Sequence, residues 1–105
     1  MKSPEFEWDD DKSTSNERKH RVSFEEASSA FADGEGLLIG DPDRHPGDRH
    51  PGDKHPEEER YVLLSMSSSL RLIVVVHTFR DSDSVIRLIS ARKATRGEWL
   101  QYRHR

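Results

Sequence analysis

Hydrophobic positions follow two regimes along the chain, spaced and sparse before residue 40, continuous after residue 60. Glu5-Phe6-Glu7-Trp8 alternates like a short strand and puts Phe6 and Trp8 on one face. Asp9-Asp10-Asp11 then suits a helix start, where carboxylates accept from free backbone donors and meet the positive end of the dipole. Lys12, Asn16, Lys19 and His20 follow along one face of that helix, although Ser13-Thr14-Ser15 is weak helix material. Ser23-Phe24-Glu25-Glu26 has the capping-box form, with the Ser23 hydroxyl and the Glu26 carboxylate each satisfying a backbone donor. Phe24, Ala27 and Phe31 recur at helical spacing, Gly34 marks the stop, and Leu37-Leu38-Ile39 reads as a strand.

The second half is rich in Val, Ile and Leu over residues 60–66, 70–79 and 85–91, with Ser/Asp clusters between. Short connections predict an antiparallel meander of three to four strands. Residues 72–76 are apolar at every position, so both faces of that strand need cover. Thr95-Arg96-Gly97-Glu98 is a second capping box, opening a helix with Trp99 and Tyr102 on one side. Phe24, Phe31 and Trp99 stand at core spacing. The fold class is α+β: a small antiparallel sheet flanked by two N-terminal helices and a short C-terminal one. Residues 1–105 form a single domain, interrupted at 43–59 by a low-complexity loop. That loop carries Asp-Arg-His-Pro-Gly twice and Asp-Lys-His-Pro-Glu once, a period too short for a repeat fold.

Composition narrows the chemistry. Hydrophobic residues make up 31% and charged residues 35% of 105 residues, so part of the chain is a solvated segment. Without cysteine, a disulfide framework, a thiolate zinc site and a cysteine nucleophile are excluded. No apolar stretch is long enough to span a membrane and no signal-peptide pattern opens the chain, which predicts a soluble cytoplasmic protein. Residues 1–60 hold 9 Lys/Arg and 17 Asp/Glu, whereas residues 61–105 hold 8 and 3. The split points to an anionic partner for the second half, to pairing between the halves, or to both.

His45, His50 and His55 lack the spacing that preorganises a metal site, and neither a metal nor another cofactor is expected. Lys19-His20, with Lys12 and Asn16, is either a solvated helix face or part of a site. Strict alternation puts Arg87 on the face of Ile89 and Ala91, and Arg92 on that of Ile86, Leu88 and Ser90. Arg60 opens one strand and Arg80 closes the next, in register with Val74, Val76 and Thr78. These arginines either pair with Glu57, Glu58 or Glu59 or bind phosphate. His77 reads as a satisfied core histidine.

In order along the chain, these stretches resemble the BrnT family of ribonuclease toxins: Phe6-Glu7-Trp8-Asp9 with Lys12; Asn16-x-x-Lys19-His20; Val22-Ser23-Phe24-Glu25-Glu26-Ala27; Asp41-Pro42-Asp43; Glu58-Glu59-Arg60-Tyr61; Met66-Ser67-Ser68; Arg71-Leu72; Val76-His77-Thr78-Phe79-Arg80; and Ile86 through Thr95, with Glu98. The resemblance implies a RelE-like fold, RNA cleavage that inhibits translation, and neutralisation by a BrnA-type ribbon-helix-helix antitoxin. DNA would be bound only through that complex, and no membrane would be involved. Metal-free cleavage uses the RNA 2′-hydroxyl as nucleophile and needs a proton acceptor, cations for the transition state and a proton donor. Carried onto this chain, Lys19, His20, Glu59, Arg60 and Arg80 are the catalytic candidates, with His20 or Glu59 moving protons; Arg87 and Arg92 are candidates for substrate binding. Arg21, Ser65 and Ser69 stand where the family favours glycine, and a positive φ at Arg21 costs roughly 1 kcal/mol. The alternative is a degenerate toxin-like protein that acts only as a protein-interaction module. A general nucleic-acid-binding module suits the acidic first half poorly.

Overall fold

A computed structural model describes residues 4–40 and 59–105. Its centre is a five-stranded sheet in the order β1-β5-β4-β3-β2, built from β1 (Glu5–Glu7), β2 (Leu37–Ile39), β3 (Tyr61–Met66), β4 (Leu72–Arg80) and β5 (Val85–Lys93). Strands β2 to β5 form the expected antiparallel meander, and Ile39 lies opposite Val62. The fifth strand departs from the expected sheet: β1 joins β5 in parallel, with Phe6 opposite Ile86 and Glu7 opposite Arg87. A parallel partner needs a long crossover, so no local turn signal announces it. The repeat segment, with His45, His50, His55, Glu57 and Glu58, lies outside the described residues.

The helices divide between the two faces of the sheet. Helices α1 (Asp10–His20) and α2 (Phe24–Ser29), with a 3₁₀ turn at Ala30–Ala32, precede the meander, and α3 (Arg96–Arg103) ends it. Val22, Phe24, Ala27 and Ala30 pack with Leu63, Ile73, Val75, Ile86, Leu88 and Ala91 in one core. On the opposite face, Val62, Leu64, Leu72 and Val74 pack with Tyr102 of α3. The all-apolar centre of β4 is thereby covered on both sides. Trp99 is not a core residue; it is 40% exposed while Tyr102 is buried, because a helix of two turns presents only one narrow face.

Local signals explain most boundaries. Asp9 caps α1 by accepting from the Lys12 N–H, which lets a Ser/Thr-rich segment remain helical. Thr95 and Glu98 complete the expected capping box of α3. The α2 start differs from its expected form. Ser23 accepts from the Glu26 N–H, but the Glu26 carboxylate turns to the Arg71 guanidinium and the Ser67 hydroxyl. A charge-assisted pair outcompetes a backbone donor there, and the hydrogen bond from Arg71 holds Glu26 below the usual carboxylate range against desolvation. Arg21 ends α1 in the left-handed region, with φ 60°. The turn after β3 puts its positive φ at Leu70 rather than Ser69. Ser65 is fully buried and donates to the Ala30 carbonyl.

Asp33 ties these parts together. Its Oδ2 accepts from the Met66 N–H at 2.9 Å and the Tyr102 hydroxyl at 2.7 Å and, 3.2 Å from the Ser65 oxygen, shares that hydroxyl's single proton with the Ala30 carbonyl. Desolvation raises its pKa, but these bonds and one from the Glu35 N–H together win and hold it at about 2. A carboxylate with a depressed folded-state pKa stabilises the fold fully above its ordinary 3.8, and that contribution is lost as the pH falls toward 2. Urea midpoints measured from pH 7 to 2.5 are therefore expected to drop below pH 4, and Asp33→Asn to lower the neutral-pH midpoint and flatten the drop. Arg21→Gly is expected to raise stability by about 0.5–1 kcal/mol in the same assay, because glycine adopts this φ without strain.

Candidate functional site

A β-bulge decides which arginines share a surface. Val76 lies opposite Ser90 but His77 lies opposite Leu88, so Ile89 is an extra residue in β5. One inserted residue reverses the facing of everything beyond it. Strict alternation would separate Arg87 from Arg92; the bulge instead brings both to the α3 side, Arg87 opposite Thr78 and Arg92 opposite Val74. Arg80 shares that face by its spacing from Val74 and Thr78. Tyr61 lies opposite His77, so the same register carried back one residue puts Arg60 across from Thr78. The Thr78 hydroxyl donates to the Glu59 carbonyl at 2.8 Å, which fixes the chain at that point.

Lys19 and His20 reach the same surface around the edge of the sheet. Strand β1 pairs with β5 only as far as Arg87, and α1 closes part of the remaining edge through one side chain. Buried Asn16 accepts from the Ala91 N–H at 3.1 Å and donates through Nδ2 to the Ala91 and Val22 carbonyls, each at 2.9 Å. Lys12, Asn16, Lys19 and His20 do share a face, as their spacing implies, but Asn16 is used for docking. With the helix fixed, Lys19 and His20 border a cavity of about 280 Å³ with Ser90 and Arg92, next to Val74 and Val76. A second cleft of about 350 Å³ adjoins it at Lys19, His20 and Ser90 and extends along α1 to Asp11, Lys12 and Ser15.

Among the described residues, Glu98 and Glu7 stand beside three of the arginines, while Glu57 and Glu58, two of the expected partners, lie outside the described residues. Arg92 makes a two-point pair with Glu98, Nη1–Oε1 and Nη2–Oε2 both 2.9 Å. The hydrogen bond from Arg92 lowers the Glu98 pKa against its desolvation. Arg80 and Arg87 meet Glu7 of β1. Glu59 turns away from this surface. Its carboxylate accepts from the Tyr61 hydroxyl at 3.0 Å, which raises the tyrosine pKa, and Tyr61 stacks beside His77 and Phe79. His77 is a core residue, as its position in the strand suggests: it is buried against Phe31, contacts the Val75 carbonyl, and desolvation lowers its pKa.

Lys19, His20 and Arg92 therefore border one cavity, Arg80 and Arg87 lie farther along the same sheet face, and Arg60 immediately precedes β3 at that end. Four residues of strand, roughly 13 Å, separate the Arg92 row from the Arg87 row. This is a cationic surface on the scale of two nucleotides, with an imidazole, an ammonium and a hydroxyl at one end. It can hold phosphate oxygens and move a proton. Glu7 and Glu98 escaped sequence reasoning as site residues. For Glu7 the signal was present in the alternation that sends Phe6 and Trp8 to the opposite face. Among the described residues there is no cluster of three or more His, Asp and Glu able to hold a metal, and no helix long and apolar enough to cross a membrane.

The sequence profile of one family, ribonuclease toxin, BrnT, of type II toxin-antitoxin system, matches residues 8–98. Among solved structures, the chain is similar to the crystal structure of the Brucella abortus ribonuclease toxin BrnT. The TM-score is 0.58 at 17% identity, covering 90% of this chain and 100% of that one. No match is found among curated proteins.

Asn16→Ala removes three buried hydrogen bonds and strands the Ala91 backbone. Urea denaturation is expected to show a loss of about 2–4 kcal/mol.

Proposed function

Since the chain belongs to the BrnT family of ribonuclease toxins of type II toxin–antitoxin systems, we propose that it is a metal-independent endoribonuclease whose site is the cavity beside Lys19 and His20. The observation that carries this reading is the convergence of Lys19, His20, Ser90 and Arg92 on one cavity. Arg80 and Arg87 continue the same face of the sheet, and Arg60 stands one residue before β3 at its Thr78 end.

In this mechanism the RNA 2′-hydroxyl attacks the adjacent phosphorus, the P–O5′ bond breaks, and a 2′,3′-cyclic phosphate and a 5′-hydroxyl form. His20 is the group at the cavity suited to take the 2′-hydroxyl proton or to return one to the departing oxygen. Lys19 stabilises the charge on the pentavalent transition state, and Arg60, Arg80 and Arg87 hold the phosphates along the sheet. Arg92, whose terminal nitrogens are engaged by Glu98, shapes the wall of the cavity. Glu59, bonded to Tyr61 on the other side, leaves the proton transfers to His20. Cleavage would inhibit translation in the cytoplasm, and a BrnA-type ribbon-helix-helix antitoxin would neutralise the protein and bring it to DNA. The RelE-like grouping suits a sheet used as an RNA platform.

Purified protein is expected to cleave RNA in the presence of EDTA, with His20→Ala and Lys19→Ala each lowering the rate by about 10²-fold or more. Induced expression should arrest growth, and Arg60→Ala should relieve the arrest. Wild-type cleavage rates in both the His20 and Lys19 variants would overturn the assignment. Absence of cleavage by the wild-type chain, with antitoxin binding retained, would favour the interaction-module alternative.

A further inference from the structure

The cavity beside Lys19 and His20 has an apolar floor, which a phosphate does not explain. Val76 lies half-buried on the α3 side of the sheet, opposite Val62 of β3. Two residues before it, Val74 packs in the core with Tyr102 of α3. Two residues after it, Thr78 is buried and donates its hydroxyl to the Glu59 carbonyl. A notch remains between these two covers, and Ser90, opposite Val76, carries its floor toward the end of α1. Lys19, His20 and Arg92 stand around it, and none of the described residues lining its volume of about 280 Å³ is acidic.

A phosphate is held by donors and gains nothing from Val76. A nucleobase has different demands, two apolar faces that rest on hydrocarbon and a polar edge that needs a few placed partners. The two adjoining cavities meet at Lys19, His20 and Ser90. Those residues mark the place of the charged linkage and leave the Val76 notch for a base beside it. The walls then select among bases. Lys19 donates and cannot accept, and the terminal nitrogens of Arg92 are donors turned to Glu98. The carbonyl oxygen of uracil or guanine suits such walls. The exocyclic amino group of adenine or cytosine would aim its own N–H groups at cations. Ser90, donor and acceptor at once, serves either kind.

We propose that the notch over Val76 is a base-recognition slot for one of the two nucleotides flanking the scissile phosphate, and that it favours a keto base, uracil or guanine, over adenine or cytosine. The proposal rests on the reading of this cavity as the nuclease site and adds a sequence preference to it. Val76 sets the floor of the slot, and Ser90 stands at the edge of the base.

Cut positions mapped on a long RNA of mixed sequence identify the selected nucleotide, and short RNAs that differ only in that base then give the rates. Wild-type protein is expected to cut beside uracil or guanine about 10-fold faster than beside adenine or cytosine. A similar factor is expected to be lost when that ribose carries no base. Ser90→Asp places an acceptor at the slot and is expected to move the ratio toward cytosine and adenine, whatever the change in overall rate. Val76→Phe, with its melting temperature retained, is expected to fill the notch and level the four rates. Equal wild-type rates on all four RNAs and on the one lacking the base, or a ratio that neither substitution changes, overturn the slot and leave the nuclease reading standing. A wild-type preference for adenine or cytosine at both flanking positions overturns the keto assignment. Absence of cleavage of every RNA by the wild-type chain overturns the nuclease reading and the slot with it.

Discussion

The side chain of Asn16 holds the geometry on which the surface depends. A sheet edge exposes unpaired donors and acceptors, and β5 has such an edge wherever β1 does not reach. Asn16 satisfies both backbone groups of Ala91 with one amide and secures the Val22 carbonyl as well. An amide can do this because it is donor and acceptor at once; neither a carboxylate nor an ammonium could. The last turn of α1 is thereby fixed beside the bulged part of β5, and Lys19 and His20 stand where the sheet face begins. Arg71 fastens the same corner by donating to the Arg21 carbonyl at 2.8 Å while gripping Glu26.

The second constraint is the single extra residue at Ile89. It lets one strand serve two purposes. Ile86, Leu88 and Ala91 all face the helix-side core, while Arg87 and Arg92 both face the other way. A regular strand could not bury Leu88 and Ala91 together, since their odd separation would send them to opposite sides. The bulge is what reconciles a continuous core with a continuous cationic surface.

Much of this architecture is legible in the residues. The meander, the caps at Asp9, Ser23 and Thr95, the common face of Lys12, Asn16, Lys19 and His20, and the core place of His77 follow from spacing and side-chain chemistry. What escapes is long-range. Nothing local in Ile89 marks it as the extra residue, because the bulge is defined by pairing with β4. The parallel docking of β1 depends on aromatic contacts with Phe24 and Phe31. The competition for Glu26 is settled by Arg71, 45 positions away. Trp99 and Tyr102 are three apart in a short helix, and only the position of the sheet decides which is buried. The ordered motifs carried the family assignment further than any one of them carried chemistry.

The pairing of Ile39 with Val62 has a genetic corollary. Because the two strands are already joined there, the segment between them begins and ends at neighbouring points whatever its length, and each doubling of that length costs only about 0.6 kcal/mol in closure entropy. Its tandem units are five residues each, so replication slippage by whole units keeps the reading frame and leaves the strand pairing intact.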